Sequence, residues 1–547
     1  MSLFCILSIF EILSISIIYP LVNSLSSDAE INTIDLFFFK KFNFDNIHIF
    51  FSYLLIVVFL IKNIFSYFIK VKLANYSWMK LIDLRKELAV TYIKLNYEKF
   101  LDKGKVDIIT SINDYSRSSI QGLEAIIKLI GELLILSFIA IYLLFIDFNT
   151  TIIILAGIFI LLILYLAFFS NKIIKIGSEN LDGEKILNKT AYSLFTGFKE
   201  IKVLKKELFF IEKLIIGIKK ISLANITNQK IGFLPKHILE VIVILFGCLY
   251  IIFSINHTSN VEIIAKLSVF AFAALRILPG VSQIAVCIND INFSVSPTNK
   301  IYEDIRLNKK NKIKNFQKKE NLLIKNDFQK LEIRNINFKY KSSNKIILKN
   351  INLEIFKNDF VGIIGPSGAG KSSLIDLILG FLEQDNGQIN AYSKNNVLIE
   401  NRDHLFSYLS QEPTIIDGTI RQNITFTDTI GDDRKINEAL VFSDLYNFVK
   451  STAGELDAVV GEKGIGLSIG QKQRITLARC HYFDKQIMIL DEPSSALDEK
   501  TQDNVFSNLQ FLSGKKTIIV ITHNKNTLRF CNKIYEIENQ TLNKIND

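Results

Sequence analysis

The sequence predicts an α-helical membrane domain of six spans, followed by an α/β phosphate-loop nucleotide-binding domain. Three observations carry that expectation. Phe and Ile crowd the first 300 of 547 residues, in apolar stretches of about 20 residues, the length that crosses a bilayer. Gly365-Pro366-Ser367-Gly368-Ala369-Gly370-Lys371-Ser372 fits the pattern G-x4-G-K-[ST] of a loop that cradles phosphates. Ile487-Met488-Ile489-Leu490-Asp491-Glu492 reads as a buried strand that ends in two carboxylates.

The predicted spans are residues 3–24, 47–69, 120–146, 149–170, 235–256 and 261–286, the fourth and fifth continuing into water as longer helices. A cleavable signal peptide is the competing reading of the first stretch. It lacks a positively charged leader and a small-residue cleavage site, and Glu11 interrupts it. Loop charge sets the orientation. Residues 70–117 carry ten Lys/Arg and residues 171–230 carry twelve, whereas 26–46 has only Lys40 and Lys41. The two basic stretches are therefore expected in the cytoplasm. Six spans then return the chain to the cytoplasm, where ATP is, before residue 300. The net charge of +10 is accounted for by topology, which argues against nucleic acid as a partner.

Residues 1–300 are read as the membrane domain, 301–330 as a Lys/Asn-rich linker and 331–547 as the nucleotide-binding domain, which opens on the alternating run Leu331–Phe338. No internal repeat is visible. Cys5, Cys248, Cys287, Cys480 and Cys531 have neither disulfide nor metal spacing, so they read as small apolar residues. The Lys/Ile/Asn/Phe bias suggests an AT-rich bacterial genome, and hence a bacterial cytoplasmic membrane.

The spelling of the phosphate loop has a physical reason. Strand-like Phe360–Ile364 enters it and helix-like Ser373–Ile378 leaves it. Glycines let backbone N–H groups close on β- and γ-phosphates at the positive end of the helix. Lys371 adds a point charge there, and Ser372 can hold Mg²⁺. Asp491 and Glu492 have the form of a Mg²⁺-holding carboxylate and a water-activating one.

Further motifs fall in order around these. Leu467-Ser468-Ile469-Gly470-Gln471 resembles the L-S-G-G-Q signature of ATP-binding cassette (ABC) proteins, with Ile469 in place of its first glycine. Gln411 in Tyr408–Pro413 is similar to that family's Q-loop, Ser495-Ala496-Leu497-Asp498 to its D-loop, and His523 to its switch histidine. Tyr340 stands where the family stacks a ring on adenine. The resemblance covers residues 331–547 and implies an ATP hydrolase that uses ATP and Mg²⁺. It implies that Lys371 and the amides of Gly368, Ala369, Gly370, Ser372 and Ser373, in a loop that also includes Gly365 and Ser367, bind the phosphates. Ser372, Gln411 and Asp491 would hold Mg²⁺, Glu492 would polarise the attacking water, and His523 would align it. Ser468, Gly470, Gln471 and Asp498 would act across a homodimer on the other copy's nucleotide. Ile469 leaves two readings open: the position has ordinary helix-start dihedrals and tolerates Ile, or a positive φ is needed and turnover is slow.

One membrane domain with one cassette resembles an ABC exporter half-transporter. Its two short cytoplasmic coupling helices would fall in Tyr97–Ser111 and Lys205–Lys213, stretches that also read as solvated basic loops near anionic lipid. Such exporters begin with an interfacial elbow helix, whereas here the first span begins almost at Met1. The membrane half resembles bacterial flippases of lipid-linked oligosaccharides used in protein glycosylation (the PglK type), through Asn96–Phe100, Ala224–Asn228 and Ala274–Pro279. That likeness implies membrane lipids and a lipid-linked oligosaccharide as partners. The aromatic stretch Ile34–Phe44 would lie in the outer interface, or pack on its own bundle. Arg276, Lys62 and Lys236 lie in or beside spans, where charge usually faces a wet cavity or a partner. Each is a candidate contact for a pyrophosphate, and equally a candidate partner for Glu11, Glu132 or Glu240. Gln283 stands where the resembled flippases carry a second basic residue. An exporter of another lipid, a drug or a peptide is the alternative function. A non-transporting ATP-gated regulator is a third, opposed by Glu492.

Overall fold

In lipid every backbone N–H and C=O must be satisfied within the segment, so long apolar runs become helices. The computed structural model describes residues 2–26, 47–254, 260–309 and 328–545, apart from 342, 344, 401, 430, 462 and 463. Among the described residues six helical stretches are long and apolar enough to cross a membrane: Ser2–Val22, His48–Ile93, Lys105–Ile146, Phe148–Thr196, Glu207–Ile252 and Lys266–Arg306. They match the six expected spans in order. The aromatic stretch Ile34–Phe44 lies outside the described residues.

The helices of this first unit are α1 (Ser2–Ser16), α2 (Ile18–Ser26), α3 (Ile47–Ile93), α4 (Tyr97–Lys103), α5 (Lys105–Thr110), α6 (Ser116–Ile146), α7 (Phe148–Thr196), α8 (Phe198–Val203), α9 (Glu207–Ser254) and α10 (Asn260–Lys309). A π-helical turn, Ser111–Tyr115, joins α5 to α6. The 47–50 residues of α3, α7, α9 and α10 give lengths of about 70 Å, more than twice a hydrocarbon core of about 30 Å. Sequence alone extended only the fourth and fifth spans. The second and sixth extend as well, because stretches such as Met79–Val90 are rich in Lys, Leu, Glu and Ala, which stay helical in water. The short helix between the fourth and fifth spans is α8, ahead of the expected Lys205–Lys213. Lys205 takes a left-handed turn (φ 52°), Lys206 N–H donates back to Ile201 O, and Glu207 then opens α9. Where α7 meets α9 the two backbones almost touch: a Cβ on Gly183 or Gly217 would stand 3.0 Å from the other's carbonyl oxygen.

The second unit comprises residues 314–547 together with Asn96–Glu98, so the first two residues of α4 belong to it and the rest of α4 to the first unit. The last helix of the first unit runs to Lys309 and the first strand begins at Phe328, so both ends of the expected 301–330 linker are ordered elements. Strands β1 (Phe328–Lys339), β2 (Ile346–Phe356), β3 (Phe360–Ile364), β4 (Asn386–Ser393), β5 (Phe406–Leu409), β6 (Gly418–Thr419), β7 (Val459–Val460), β8 (Ile487–Asp491), β9 (Thr517–Ile521), β10 (Lys533–Glu538) and β11 (Thr541–Ile545) form three sheets. β2-β1-β4 is antiparallel; Leu331, Ile333, Ile336 and Phe338 are buried as the run Leu331–Phe338 predicts, but the alternation is broken by a register shift between Ile333 and Ile336, and Glu332 is buried as well. The main sheet has the order β11-β10-β3-β9-β8-β5, and the strands from β10 to β5 are parallel. β8 and β9 are buried at every residue, as befits parallel strands covered on both faces. The helices of this unit are α11 (Lys371–Leu379), α12 (Ile420–Thr425), α13 (Asp433–Phe442), α14 (Tyr446–Ser451), α15 (Ile469–Tyr482), α16 (Glu499–Leu512) and α17 (Lys525–Leu528); α12, α13, α14 and one face of α15 share a core of their own with Val460 of β7.

That strand order positions the site. β3, β9, β8 and β5 are neighbours pointing the same way, so the segments leaving their carboxyl ends emerge side by side. Those segments are the phosphate loop, Thr522-His523, Asp491-Glu492 and Ser410-Gln411.

Candidate functional site

The phosphate loop leaves β3 through three glycines with positive φ: Gly365 (151°), Gly368 (78°) and Gly370 (104°). At Gly365 a Cβ would stand 2.5 Å from Ile537 O, and at Gly370 it would crowd Ile347 and Leu348, so neither position admits a larger residue. At Gly368 it would meet nothing within 4 Å, and Ser367 and Gly368 are exposed. The loop is thus tight toward the protein and open on its other side. Lys371 folds over it, Nζ donating to Gly365 O (2.8 Å) and Pro366 O (2.9 Å). Burial pulls the lysine's pKa down, against the attraction of Glu492 and Asp491. A buried ammonium whose hydrogen bonds among the described residues go to carbonyls suits an incoming anion.

Asp491 ends β8 and is buried. Burial, then the neighbouring Glu492, pushes its carboxyl up to about 6, while Lys371 and a hydrogen bond with Tyr408 oppose the rise. Glu492 turns into a left-handed conformation (φ 50°), a strained one for this residue type. Four hydrogen bonds hold it there: its N–H donates to Ile521 O (2.9 Å), and its carbonyl accepts from Gln473 Nε2 (2.7 Å), Ser495 N (3.3 Å) and Ser495 Oγ (3.2 Å). Gln411 Nε2 donates to Glu492 Oε2 (3.1 Å), and His523 Nε2 lies 3.4 Å from Oε1. The three expected catalytic residues therefore meet at one carboxylate. A raised Asp491, an anchored Glu492 and an open cradle with a buried lysine fit a nucleotide with its divalent cation. Tyr340 donates to or accepts from Ser373 Oγ (3.0 Å) and packs edge-on against Phe338.

Two residues of this site escaped the sequence reading. Asp376, on α11, is pushed up to about 6 by burial and then by Asp491. Tyr408 hydrogen-bonds Asp491. Neither carries a motif of its own; only an acidic residue on an otherwise apolar helix face marked Asp376.

Ser468 caps α15. Its Oγ accepts from Gln471 N (3.2 Å), and Gln471 Oε1 accepts from Ser468 N (2.9 Å), a capping box. Ile469 is therefore the first helical residue, with negative φ and 67% exposure, so its side chain is tolerated. Gly470 is the demanding position, because a Cβ would stand 2.6 Å from Ala496 O. Asp498 caps α16 by accepting from Thr501 N (3.1 Å), and that bond holds its carboxyl below the usual range. Among the described residues no hydrogen bond joins Ser468, Gln471 or Asp498 to the phosphate loop of the same chain. Within the second unit Tyr97 lies 5.4 Å from Phe381, ring to ring, and Glu98 accepts from Lys341 Nζ (2.8 Å) and N (3.2 Å).

The cations proposed to meet cargo have protein partners. Arg276 donates from Nε to Glu11 Oε1 (2.9 Å) and from NH2 to Glu132 Oε2 (2.9 Å). Lys62 donates to Glu11 Oε2 (3.0 Å) and lies 4.2 Å from the Phe59 ring centroid. Lys236 is exposed, 3.9 Å from Glu240 on its own helix. Of the two sequence readings for Arg276 and Lys62, ion pairing is present, because α1 and α6 bring Glu11 and Glu132 alongside them.

Residues 348–495 match the ABC transporter family model. The chain is 38% identical over 219 residues to the multidrug resistance-like ATP-binding protein MdlA of Buchnera aphidicola subsp. Baizongia pistaciae, covering 39% of this chain and 38% of that one. It is 32% identical over 212 residues to the alpha-hemolysin translocation ATP-binding protein HlyB of Escherichia coli O157:H7, covering 38% and 30%. The matches thus span about two-fifths or less of these relatives' length. Among solved structures, a bacterial Atm1-family ABC exporter with ATP bound superposes with a TM-score of 0.80 at 16% identity, covering 99% of this chain and 93% of that one. The chain has the fold of an ABC exporter, six candidate spans with an ABC ATP-binding domain, and such a domain binds ATP with Mg²⁺ and hydrolyses it.

Proposed function

We propose that the chain is one half of an ATP-driven exporter, working as a homodimer in a bacterial cytoplasmic membrane with its ATP-binding domain in the cytoplasm. The supporting observation is the meeting of Gln411, Glu492 and His523 beside an open phosphate loop, in a chain with six candidate spans. Lys371 and the amides of residues 368–373 bind the phosphates, and Tyr340 supports the adenine. Ser372, Gln411 and Asp491 would hold Mg²⁺, which would supply screening of the phosphate charge. Glu492 polarises the attacking water, held in place by the hydrogen bonds that fix its backbone, and His523 orients that water. Ser468, Gly470, Gln471 and Asp498 are exposed or at helix starts and complete the site of a second copy. Closing on ATP and opening after hydrolysis gives two states for the membrane helices to follow.

The finer reading, a lipid-linked oligosaccharide as cargo, rests on the three sequence segments that resemble flippases. A drug or peptide is the second reading, favoured by the likeness to the multidrug resistance-like MdlA and the alpha-hemolysin translocation protein HlyB. The test is Glu492→Gln in proteoliposomes. ATP binding should persist while hydrolysis falls at least 100-fold, because an amide cannot take up the water's proton. Wild-type turnover in that variant would remove Glu492 from the role. ATP-driven movement of labelled lipid-linked oligosaccharide by wild type, absent in Glu492→Gln, would establish the finer cargo; movement of other amphiphiles alone would reject it.

A further inference from the structure

Four charges from four helices form one chain of alternating sign in the membrane unit: Lys62 (α3), Glu11 (α1), Arg276 (α10) and Glu132 (α6). Each lies inside the apolar run of a candidate span, and because they bond one another they share one level of the helix bundle. The inner end is closed. Both oxygens of Glu11 are used, and Glu11 and Lys62 are only 7% and 12% exposed. The outer end is not. Arg276 spends Nε and NH2, leaving NH1 without a hydrogen bond among the described residues; NH1 lies over Gly280, where a Cβ would stand 3.3 Å from it and 3.0 Å from Leu136 Cδ2. Glu132 spends Oε2 and leaves Oε1, and the two side chains are 21% and 22% exposed. A bare guanidinium edge beside a bare carboxylate oxygen is costly among apolar spans, so a polar group must cover it.

We infer that the Arg276–Glu132 edge binds a zwitterionic head group, its oxyanion on Arg276 NH1 and its primary ammonium on Glu132 Oε1. Two acids and two bases sum to zero, so neither a pure anion nor a pure cation is attracted from a distance. The edge offers one donor and one acceptor, which matches a group carrying both signs. A primary ammonium donates to Oε1, whereas a quaternary one has no N–H to give. The inference rests on the export reading, since only an amphiphile in transit brings a head group to this level; it does not rest on the oligosaccharide reading.

The full-length protein is reconstituted in liposomes carrying tail-labelled phosphatidylethanolamine, phosphatidylcholine or phosphatidylglycerol, and ATP-dependent movement between leaflets is measured. Phosphatidylethanolamine should move at least fivefold faster than phosphatidylglycerol, with phosphatidylcholine between them. Glu132→Gln gives the chain a net positive charge and should lower that ratio at least fivefold. Glu132→Asp keeps the charge and should keep the order. Water-soluble glycerophosphoethanolamine that slows phosphatidylethanolamine movement would support the site and show that tails are not needed for recognition. A purely structural Glu132 would slow all lipids alike and leave the ratio unchanged, which would overturn the proposal. So would a wild type without head-group preference whose Glu132→Gln variant loses its dimer, since the edge would then belong to a second copy. ATP hydrolysis with movement of other amphiphiles but no such preference would reject the site and keep the exporter. No ATP-driven movement of any amphiphile would reject both.

Discussion

At the scale of single residues the signature shows how adjacent positions differ. Ile469 is exposed at the first turn of α15 with negative φ, so Ile469→Gly should change ATPase activity by less than about twofold. Gly470 faces the carbonyl of Ala496, so Gly470→Ala must push α15 from the turn after Glu492 and should cost at least about tenfold, or 1.4 kcal/mol of barrier. Steady-state ATPase assays of the two variants check both. Asp376 carries a buried carboxyl pushed up to about 6. An acid whose folded pKa exceeds its unfolded value stabilises the fold only when protonated: fully below about 4, and lost as pH rises through 6. Asp376→Asn should therefore stabilise the protein by roughly 1–2 kcal/mol at pH 7.5, and that gain should shrink toward zero below pH 5. Thermal unfolding at the two pH values reads the difference.

Elements of the membrane unit approach one another where side chains are missing. Gly183 on α7 and Gly217 on α9 put backbone against backbone, and a Cβ at Gly217 would stand 2.9 Å from Leu187 N. Gly217→Val must separate the two helices and should destabilise by about 1–3 kcal/mol, measured as a lower unfolding temperature in detergent with the secondary structure intact. In the second unit the decisive element is the parallel sheet. Order β10-β3-β9-β8-β5 delivers the phosphate loop, His523, Glu492 and Gln411 to one edge from distant parts of the sequence.

Across the whole molecule, a neutral ion chain in the membrane and a charged nucleotide site are maintained by opposite means. The membrane charges are balanced in pairs, so removing one leaves another bare. Arg276→Met should lower stability by about 3–5 kcal/mol, because Glu132 loses its partner. Arg276→Met with Glu132→Leu keeps the Lys62–Glu11 pair and should recover most of that loss. Unfolding of the two variants in one detergent gives the comparison; equal losses would show that packing, not charge, is what Arg276 supplies.

Local pattern was enough to read much of this protein. Apolar length fixes six spans, since lipid forces any such run into a helix, and the loop glycines and paired carboxylates announce a nucleotide site, since phosphate chemistry needs those residue types at that spacing. Longer-range facts were out of reach. That Glu11 and Glu132 neutralise Arg276, that Asp376 and Tyr408 press on Asp491, and that Gly470 rather than position 469 is the tight one all depend on which elements become neighbours. Neighbours are chosen by packing over the whole chain, and a buried charge or a missing Cβ has meaning only against the atoms it meets.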